Sequence, residues 1–263
     1  MFTKTIDDRL YFKSELLGNL KGVTHCFTSS CGGESHSKIQ GLNLGFRVGD
    51  DPDCVKANYM HVAKDFGFPF ENMVGAKQIH SADIRVVTKD MAGCGISRTE
   101  ELFECDGLVT DVPMLPLTVF YADCVPILLA DKDAGVVAAV HSGWRGTVAK
   151  IADAAVKIMI DSFGAKAENI VAAIGPSIGP CCFETGEEVA CEFESDLVKS
   201  LGNGKFKVDL WMANRRVLEK SGVLPHNIEA FEMCTMCNSD VLYSYRTHQE
   251  KTGRMGAFIM KNA

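Results

Sequence analysis

Two histidines and one cysteine stand at the ends of predicted strands, where side chains from distant segments converge on one cleft. His80 lies in KQIHSAD, Cys124 in YADCVP and His141 in AVHSGWRG. Two imidazoles and one thiolate suit zinc or a similar late transition metal. Three protein ligands leave a fourth position for water, which is typical of a catalytic rather than a structural zinc site.

The spacing of these three residues does not by itself establish a metal site. His80 is far from Cys124 and His141 along the chain, and no short metal motif links the three. By spacing alone, hydrogen-bonded core histidines and a buried cysteine are the favoured explanation. Asp123, next to Cys124, is predicted to orient a ligand histidine or a bound water. The alternative for Asp123 is a cap at the end of a strand.

The segment HSGWRGT predicts a second chemical feature, an anion site. Small residues precede a helix here, so backbone N–H groups point outward at its N-terminus, and Arg145 lies at that end. Together they suit phosphate. A tight turn with a surface arginine is the alternative interpretation.

The remaining cysteines are interpreted as mainly structural thiols. The chain has 11 cysteines without a repeating framework, which is typical of a reduced, cytosolic protein. CTMC (Cys234–Cys237) lacks a second pair of suitable form, and the adjacent Cys181 and Cys182 are expected to diverge. The sequence patterns of dinucleotide-binding, P-loop, serine-hydrolase and zinc-deaminase sites are missing.

The elements that must position these residues are strands and helices without regular alternation. Helices are predicted in DPDCVKANYMHVAKDFGF, ending at Gly67, in TVAKIADAAVKIMIDSFG, ending at Gly164, and in DLWMANRRVLEKSG, ending at Gly222. LPLTVFYADCVPILLADKDAGVVAAV predicts three strands with a hairpin turn at Asp131–Gly135. NIVAAIG predicts another strand, MVGAKQIHSADIRVV two short ones, and His25–Pro52 a long ordered loop. This mixture favours an α+β fold with a large mixed sheet.

Length and charge restrict the classes of protein. The 263 residues suit one domain, residues 1–263. There are 27 lysines and arginines against 34 aspartates and glutamates, a net charge of −7, which argues against nucleic acid as the main partner. No apolar stretch approaches the roughly 20 residues of a membrane span. The acidic N-terminal segment does not resemble a secretory signal, so we expect a cytoplasmic protein.

Eight motifs together resemble the YfiH-like, laccase-domain family, whose members have been called polyphenol oxidases and, later, purine nucleoside phosphorylases. The motifs span nearly the whole chain: GLNLGFRVGDDP, KQIHSAD, DGLVTD, YADCVPILLAD, HSGWRGT, AAIGPSIGPCCFE, DLWMANR and YSYRTHQEKTGRMGAF. The resemblance implies a four-layer α-β-β-α arrangement with mixed β-sheets. It also implies that His80, Cys124 and His141 bind a metal, usually zinc, with copper(II) as the alternative.

The activity that this resemblance implies is phosphorolysis of adenosine, inosine and methylthioadenosine, with deamination of adenosine as a second activity. Purine nucleosides and phosphate would be the partners of a monomer or homodimer. Family members often carry an arginine where this chain has Ser30. Arg47, and after it Arg145, are therefore the candidates for holding phosphate. Asn43 and Gln78, which lie in two of the motifs, are also assigned to substrate binding.

Three other functions remain open at this point. The first is a copper-dependent phenol oxidase, against which stands the small number of histidines, seven in all. The second is a metal-dependent amidase acting on cell-wall precursors, which would use the same ligands. The third is a non-enzymatic partner of other proteins, which an open metal position disfavours.

Overall fold

The computed structural model describes residues 2–263. The strands, in chain order, are β1 (Phe2–Ile6), β2 (Arg9–Lys13), β3 (Val23–Thr28), β4 (Ser35–His36), β5 (Gln40–Gly41), β6 (Ile84–Val86), β7 (Gly107–Thr110), β8 (Leu117–Tyr121), β9 (Val125–Asp131), β10 (Val136–Ser142), β11 (Val171–Ile174), β12 (Glu184–Gly186), β13 (Val198–Gly202), β14 (Lys205–Val208), β15 (Ile228–Ala230) and β16 (Met255–Lys261). The helices are α1 (Glu15–Gly18), α2 (Pro52–Phe66), α3 (Trp144–Val148), α4 (Ile151–Phe163), α5 (Glu187–Ala190), α6 (Leu210–Lys220) and α7 (Tyr245–His248). Among residues 2–263, no helix combines the length and apolar character needed to cross a membrane.

Two large sheets carry the fold. The first has the order β1-β2-β3-β16-β8, and all of its neighbouring strands are antiparallel. The second has the order β15-β11-β9-β10-β7-β6 and is mixed, because its two edge pairs are parallel and its central pairs antiparallel. Smaller sheets of three and two strands, β12-β14-β13 and β4-β5, lie outside these two.

Apolar side chains pack the two large sheets against each other. Helices cover the outer face of each sheet. Phe27 and Ala257 of the first sheet share one core cluster with Leu128 and Ala139 of the second. On the outer face of the first sheet, α2 packs against strand residues such as Phe258. On the outer face of the second sheet, α4 and α6 bury a separate cluster against β9 and β10. The predicted α+β, four-layer α-β-β-α arrangement is confirmed.

Local sequence signals set the ends of the longest helices as predicted. Asp51 caps α2 by accepting from the backbone N–H of Asp53, and Pro52 follows at the first helical position. Gly67 ends α2 and Gly164 ends α4, each with a left-handed φ, 69° and 70°, that glycine adopts without strain. The segment Trp144–Phe163 is divided into α3 and α4 at Lys150, whose φ is 59°.

Two predictions from the sequence differ from the structure. The predicted loop His25–Pro52 begins inside β3, because residues 23–27 pair with the distant strand β16. The segment MVGAKQIHSADIRVV contains one strand, β6, rather than two. Its first half is extended but makes only the isolated bridges Val74–Leu117 and Lys77–Glu104 within the described chain.

The connection between β8 and β9 crosses from one sheet to the other. Tyr121 pairs with Met255 in the first sheet, and Val125 pairs with Ser142 in the second, so only residues 122–124 lie between them. This short crossing places Asp123 and Cys124 at one edge of the stacked sheets.

Candidate active site

His80, Cys124 and His141 converge at the edge where the chain crosses between the sheets. Their donor atoms all lie within 4.8 Å of one another. His80 Nε2 is 3.9 Å from Cys124 Sγ, and the two imidazole rings are nearly perpendicular, with their centroids 4.9 Å apart. The three are brought together from the loop before β6, the β8–β9 crossing and the end of β10.

Asp106 holds the loop that carries His80. Its carboxylate accepts hydrogen bonds from the backbone N–H groups of Ile79, His80 and Ser81, at 3.2, 2.9 and 2.7 Å. His80 has a φ of 61°, which is uncommon for a residue other than glycine. These three bonds offset the cost of that backbone conformation, so the carboxylate fixes where the imidazole points.

The same carboxylate orients His141. The antiparallel pairing of β7 with β10 places Gly107 opposite Val140, which brings the neighbouring residues Asp106 and His141 together. His141 Nδ1 lies 2.9 Å from Asp106 Oδ1, so Nε2 is the nitrogen that remains for a metal. Burial acts to raise the pKa of Asp106, but hydrogen bonds from His141 and Ser81 outweigh it and lower the pKa to about 2.

Cys124 and His141 stabilise each other's charged forms. Burial opposes the charge on Cys124, but His141 and then His80 lower the pKa of this thiol to about 6. Burial likewise opposes the charge on His141, but Cys124 and Asp106 raise its pKa to about 9. The thiolate is the form of cysteine that binds metals, and Cys124 is in this form near neutral pH. One soft thiolate and two imidazoles at this spacing fit zinc, with a position left open.

Both carboxylate oxygens of Asp123 are hydrogen-bonded to neighbouring segments of the chain. Its Oδ1 accepts from the hydroxyl of Thr235 at 2.6 Å, and its Oδ2 accepts from the backbone N–H of Arg246 at 2.7 Å. It therefore does not orient a ligand histidine, a task that falls to Asp106. Asp123 has a φ of 90°, and its contacts fix the crossing next to Cys124.

A cleft of about 1000 Å³ opens over the three donors, at the upper end of the range of roughly 300–1,000 Å³ for small-molecule sites. Its walls include the aromatic side chains Phe46, Phe120, Trp144, Phe183 and Tyr245. Five basic residues line it against two acidic ones, in a chain whose net charge is −7: the basic ones are Arg47, Lys56, Lys77, Arg246 and Arg254. The cleft is therefore suited to a flat, partly apolar ligand together with an anion.

Two arginines occupy fixed places in this cleft. Arg254 Nη1 donates to the carbonyls of Thr252 and Gly253, which anchors the half-buried guanidinium in the wall. Burial lowers the pKa of Arg254, although the nearby Cys124, among other groups, opposes the shift. Arg246 Nη1 donates to the carbonyl of Glu184.

The predicted substrate residues divide into two groups. Arg47, exposed, and Gln78 line the cleft. The Gln78 amide is bonded to the backbone of Phe120, donating to its carbonyl at 2.7 Å and accepting from its N–H at 2.6 Å, so Gln78 positions an aromatic wall. Asn43 is fully buried behind the cleft. Its Oδ1 accepts from the N–H groups of Gly45 and Arg254, and so supports the backbone at both arginine segments.

Arg145 and Ser30 lie outside the residues that line the cleft. Arg145 is exposed and stacks on the Trp144 ring, 4.3 Å from its centroid, while Trp144 itself faces the cleft. The helix at HSGWRGT, α3, is only five residues long. The predicted anion site at Arg145 is thus not part of this cleft. Ser30 is held by its backbone, donating to Val241 and accepting from Leu42.

Sequence reasoning did not single out Asp106 or Arg254. Asp106 lies in DGLVTD and Arg254 in YSYRTHQEKTGRMGAF, two of the motifs that carry the family resemblance. Membership in these motifs is the feature of the sequence that could have identified them. Assigning them a part requires the strand pairing that brings residue 106 to residue 141 and places residue 254 at the cleft.

The chain is similar to known proteins over most of its length. Residues 24–262 match the family model described as multi-copper polyphenol oxidoreductase laccase. The purine nucleoside phosphorylase YlmD of Geobacillus stearothermophilus is 36% identical over 246 residues, which are 90% of each chain. The adenosine deaminase RL5 of an unknown prokaryotic organism is 35% identical over 250 residues, 92% of this chain and 95% of its relative.

Solved structures agree over the whole chain. YlmD from Geobacillus stearothermophilus superposes with a TM-score of 0.92 at 33% identity, covering 100% of this chain and 99% of the other. The Bacillus licheniformis protein YfiH gives 0.91 at 31% identity, with 98% of both chains covered. The chain therefore belongs to the YfiH-like, laccase-domain family.

Proposed function

We propose that this chain, as a single domain of residues 1–263, is a zinc-dependent enzyme of purine nucleosides. Its reactions would be phosphorolysis of adenosine, inosine and methylthioadenosine to the free base and a sugar 1-phosphate, and deamination of adenosine to inosine. The observation that carries this proposal is the set of three donors within 4.8 Å at the base of an aromatic, locally basic cleft. The relatives named purine nucleoside phosphorylase and adenosine deaminase support it.

His80, Cys124 and His141 would hold the zinc ion, and a bound zinc ion supplies a Lewis acid that makes water a nucleophile at neutral pH. Asp106 keeps Nδ1 of His141 occupied and the His80 loop in place, so the donors are arranged without rearrangement of the fold. In deamination, water adds at C6 of adenine and ammonia leaves. The base must then lie with C6 toward the three donors.

Phosphorolysis makes a different demand on the same cleft. Phosphate must lie near C1′ of the sugar while the bond to the base breaks, and the charge that develops must be stabilised. Arg47 and Arg254 are the proposed phosphate ligands, because both line the cleft and an arginine binds phosphate with two parallel hydrogen bonds. Phe120 and Trp144 offer flat surfaces for the purine.

Two other functions fit the site less well. A multi-copper phenol oxidase needs many histidines, whereas only two of the seven in the sequence belong to this group of donors. An amidase acting on cell-wall precursors would need an extended groove for a peptide, and the aromatic walls suit a flat ring better.

The test is a product analysis of zinc-loaded protein incubated with adenosine, with and without phosphate. We expect inosine in both reactions, and adenine with ribose 1-phosphate only when phosphate is present. His80→Ala should abolish both activities, and a chelator should do so reversibly, while Cys191→Ala, a substitution of an exposed cysteine outside the cleft, should abolish neither. Retention of either activity at the wild-type rate in His80→Ala would separate the two reactions and contradict a shared site.

A further inference from the structure

Four cysteines outside the cleft meet in space although the sequence separates them into two pairs. This four-cysteine cluster consists of Cys181, Cys182, Cys234 and Cys237, whose sulfur atoms all lie within 4.8 Å of one another. Cys237 Sγ is 3.6 Å from Cys181 Sγ and 3.4 Å from Cys182 Sγ. The C-x-x-C motif thus has a partner pair, contrary to the expectation from the sequence, and the adjacent cysteines do not diverge away from it.

Backbone hydrogen bonds build the cluster from two loops. The loop after β11 makes a turn in which the N–H of Cys182 donates to the carbonyl of Gly179 at 2.9 Å. The loop after β15 is joined to it through Ser177, which donates to the carbonyl of Met233 and accepts from the N–H of Thr235, both at 3.1 Å. The backbone hydrogen bonds of the two loops, and not side-chain flexibility alone, therefore bring the cysteines together.

The most buried sulfur of the cluster, that of Cys234, accepts a hydrogen bond from the other loop. The backbone N–H of Gly179 donates to Cys234 Sγ at 3.3 Å. Such N–H···S contacts orient metal-bound thiolates and tune their charge.

We propose that the four-cysteine cluster is a second metal site, which binds one zinc ion through four thiolates. Zinc–sulfur bonds of about 2.3 Å in a tetrahedron place the sulfurs about 3.8 Å apart, close to the spacings observed here. Four protein sulfurs leave no position for water or substrate, so this site is structural, unlike the one in the cleft. Binding releases the thiol protons to solvent, and it requires no oxidant.

Because the cluster lies next to the cleft, an ion bound in it would also affect the cleft wall. Ile178 and Phe183, on either side of the first cysteine pair, line the cleft wall. The N–H of Ile178 donates to the carbonyl of Asp123 at 2.8 Å, and Thr235 donates to its carboxylate. An ion in the cluster would hold both loops against the segment that carries Cys124.

A disulfide between Cys182 and Cys237 is the competing use of these sulfurs. It would join two of the four sulfur atoms and would pass two protons and two electrons to an oxidant. It would not explain why the sulfur atoms of Cys181 and Cys234 also lie close to the other two. The arrangement of all four sulfurs favours the ion.

The test is the zinc content of the purified chain by elemental analysis, with folding checked by circular dichroism. We expect two zinc ions per chain in the wild type and one each in Cys124→Ser and in Cys237→Ser, which alters an exposed member of the cluster. The double variant should hold none. Cys191→Ser, outside both groups of donors, should keep two.

Cobalt(II) added to metal-free Cys124→Ser should produce the intense thiolate-to-metal absorption of a tetrathiolate site, and Cys237→Ser in that background should abolish it. Zinc should also raise the melting temperature of Cys124→Ser but not of the double variant. A wild type with one zinc that is lost completely in Cys124→Ser would overturn the proposal. Mass spectrometry of the chain denatured without a reductant gives a second outcome that would overturn the proposal. That outcome is a mass two hydrogens below the expected value, with the peptides of Cys182 and Cys237 linked by a disulfide.

Discussion

Asp106 Oδ1 accepts a hydrogen bond from His141 Nδ1 at 2.9 Å, while the same carboxylate receives three backbone N–H groups from the His80 loop. One side chain therefore orients two of the three candidate metal ligands. This relationship makes Asp106 the residue whose removal should disturb the site most without removing a donor atom.

Asp106→Asn should weaken zinc binding by about 10- to 100-fold, the usual effect of losing a carboxylate that orients a ligand histidine. The amide removes the negative charge that His141 and the three N–H groups face. Competition with a chromophoric chelator measures the affinity. Asp83→Asn, an exposed substitution near the same loop, is the matched control and should leave the affinity unchanged. An unaltered affinity in a folded Asp106→Asn protein would contradict this prediction.

Gly143→Ala should disturb the metal donors by contact alone. Its φ of −67° is open to any residue, but an added Cβ would lie 3.0 Å from His80 Cδ2 and 3.3 Å from Cys124 Sγ. We expect weaker zinc binding with little change in the stability of the metal-free fold. Gly18→Ala, whose Cβ would lie 3.8 Å from its nearest neighbour, is the control. Equal affinities in the two variants would show that the site tolerates the methyl group.

In metal-free protein, Cys124 should react with iodoacetamide at a rate that is half-maximal near pH 6, because its pKa is lowered to about 6. The rate should fall as the pH drops below that value and the thiolate is protonated. An ordinary cysteine, with a pKa of about 8.5, is still gaining reactivity above pH 8. Peptide mass spectrometry identifies the site, and Cys124→Ser removes the fast phase. His141→Gln should move the profile to higher pH, and an unmoved profile would refute the proposed pairing of charges.

His25 should make the fold less stable in mild acid. Burial, assisted by Lys13, lowers the pKa of His25 to about 3, although Glu229 opposes the shift. The N–H of Ser14 donates to His25 Nε2, a bond that needs the neutral ring. The unfolded chain binds a proton near pH 6.5, so this stability is complete above that pH and is lost as the pH falls toward 3.

The contribution of His25 should be about 1.4 kcal/mol per pH unit within that window. Denaturant unfolding between pH 4.5 and 7.5 measures it, and His25→Gln should flatten the profile. His226→Gln, at an exposed histidine, is the control. A profile unchanged in His25→Gln would assign the loss of stability to other groups.

Arg254→Ala should raise the KM for phosphate by about tenfold or more, since hydrogen bonds to charged groups contribute about 1.5–3 kcal/mol. Arg47→Ala should act in the same direction but less strongly, because the side chain is exposed. Arg145→Ala is the internal comparison, since that side chain lies outside the cleft. Phosphate titrations at saturating nucleoside, with zinc content measured in parallel, separate anion binding from metal loss. A larger effect at Arg145 would favour the anion site that the sequence predicts at HSGWRGT over the pair of arginines in the cleft.

Local signals were sufficient for the longest helices and the central strands. Asp51, Gly67 and Gly164 carry their own backbone preferences, and the short apolar runs of β8, β9 and β10, separated by turn residues, favour buried strands. The three candidate metal donors could be grouped only through a resemblance to a family, because residues far apart in sequence show no pattern until strands bring them together.

Pairing between distant segments explains what the sequence did not reveal. The part of Asp106 depends on the register that sets Gly107 opposite Val140, and β3 is a strand because β16 lies beside it. The cluster of four cysteines likewise depends on the bonds of Ser177 to both loops. Register and loop contacts are properties of the assembled sheets, so no short window of residues contains them.

The order of strands in the first sheet ties the crossing that carries Cys124 to a segment far along the chain. β16 lies between β3 and β8, and Tyr121 at the end of β8 pairs with Met255 at its start. The crossing is therefore anchored on that side only when β16 has inserted into the sheet. On its other side, Val125 pairs with Ser142 in the second sheet, which needs no part of β16. The position of Cys124 thus depends on two sheets that are assembled from different parts of the chain.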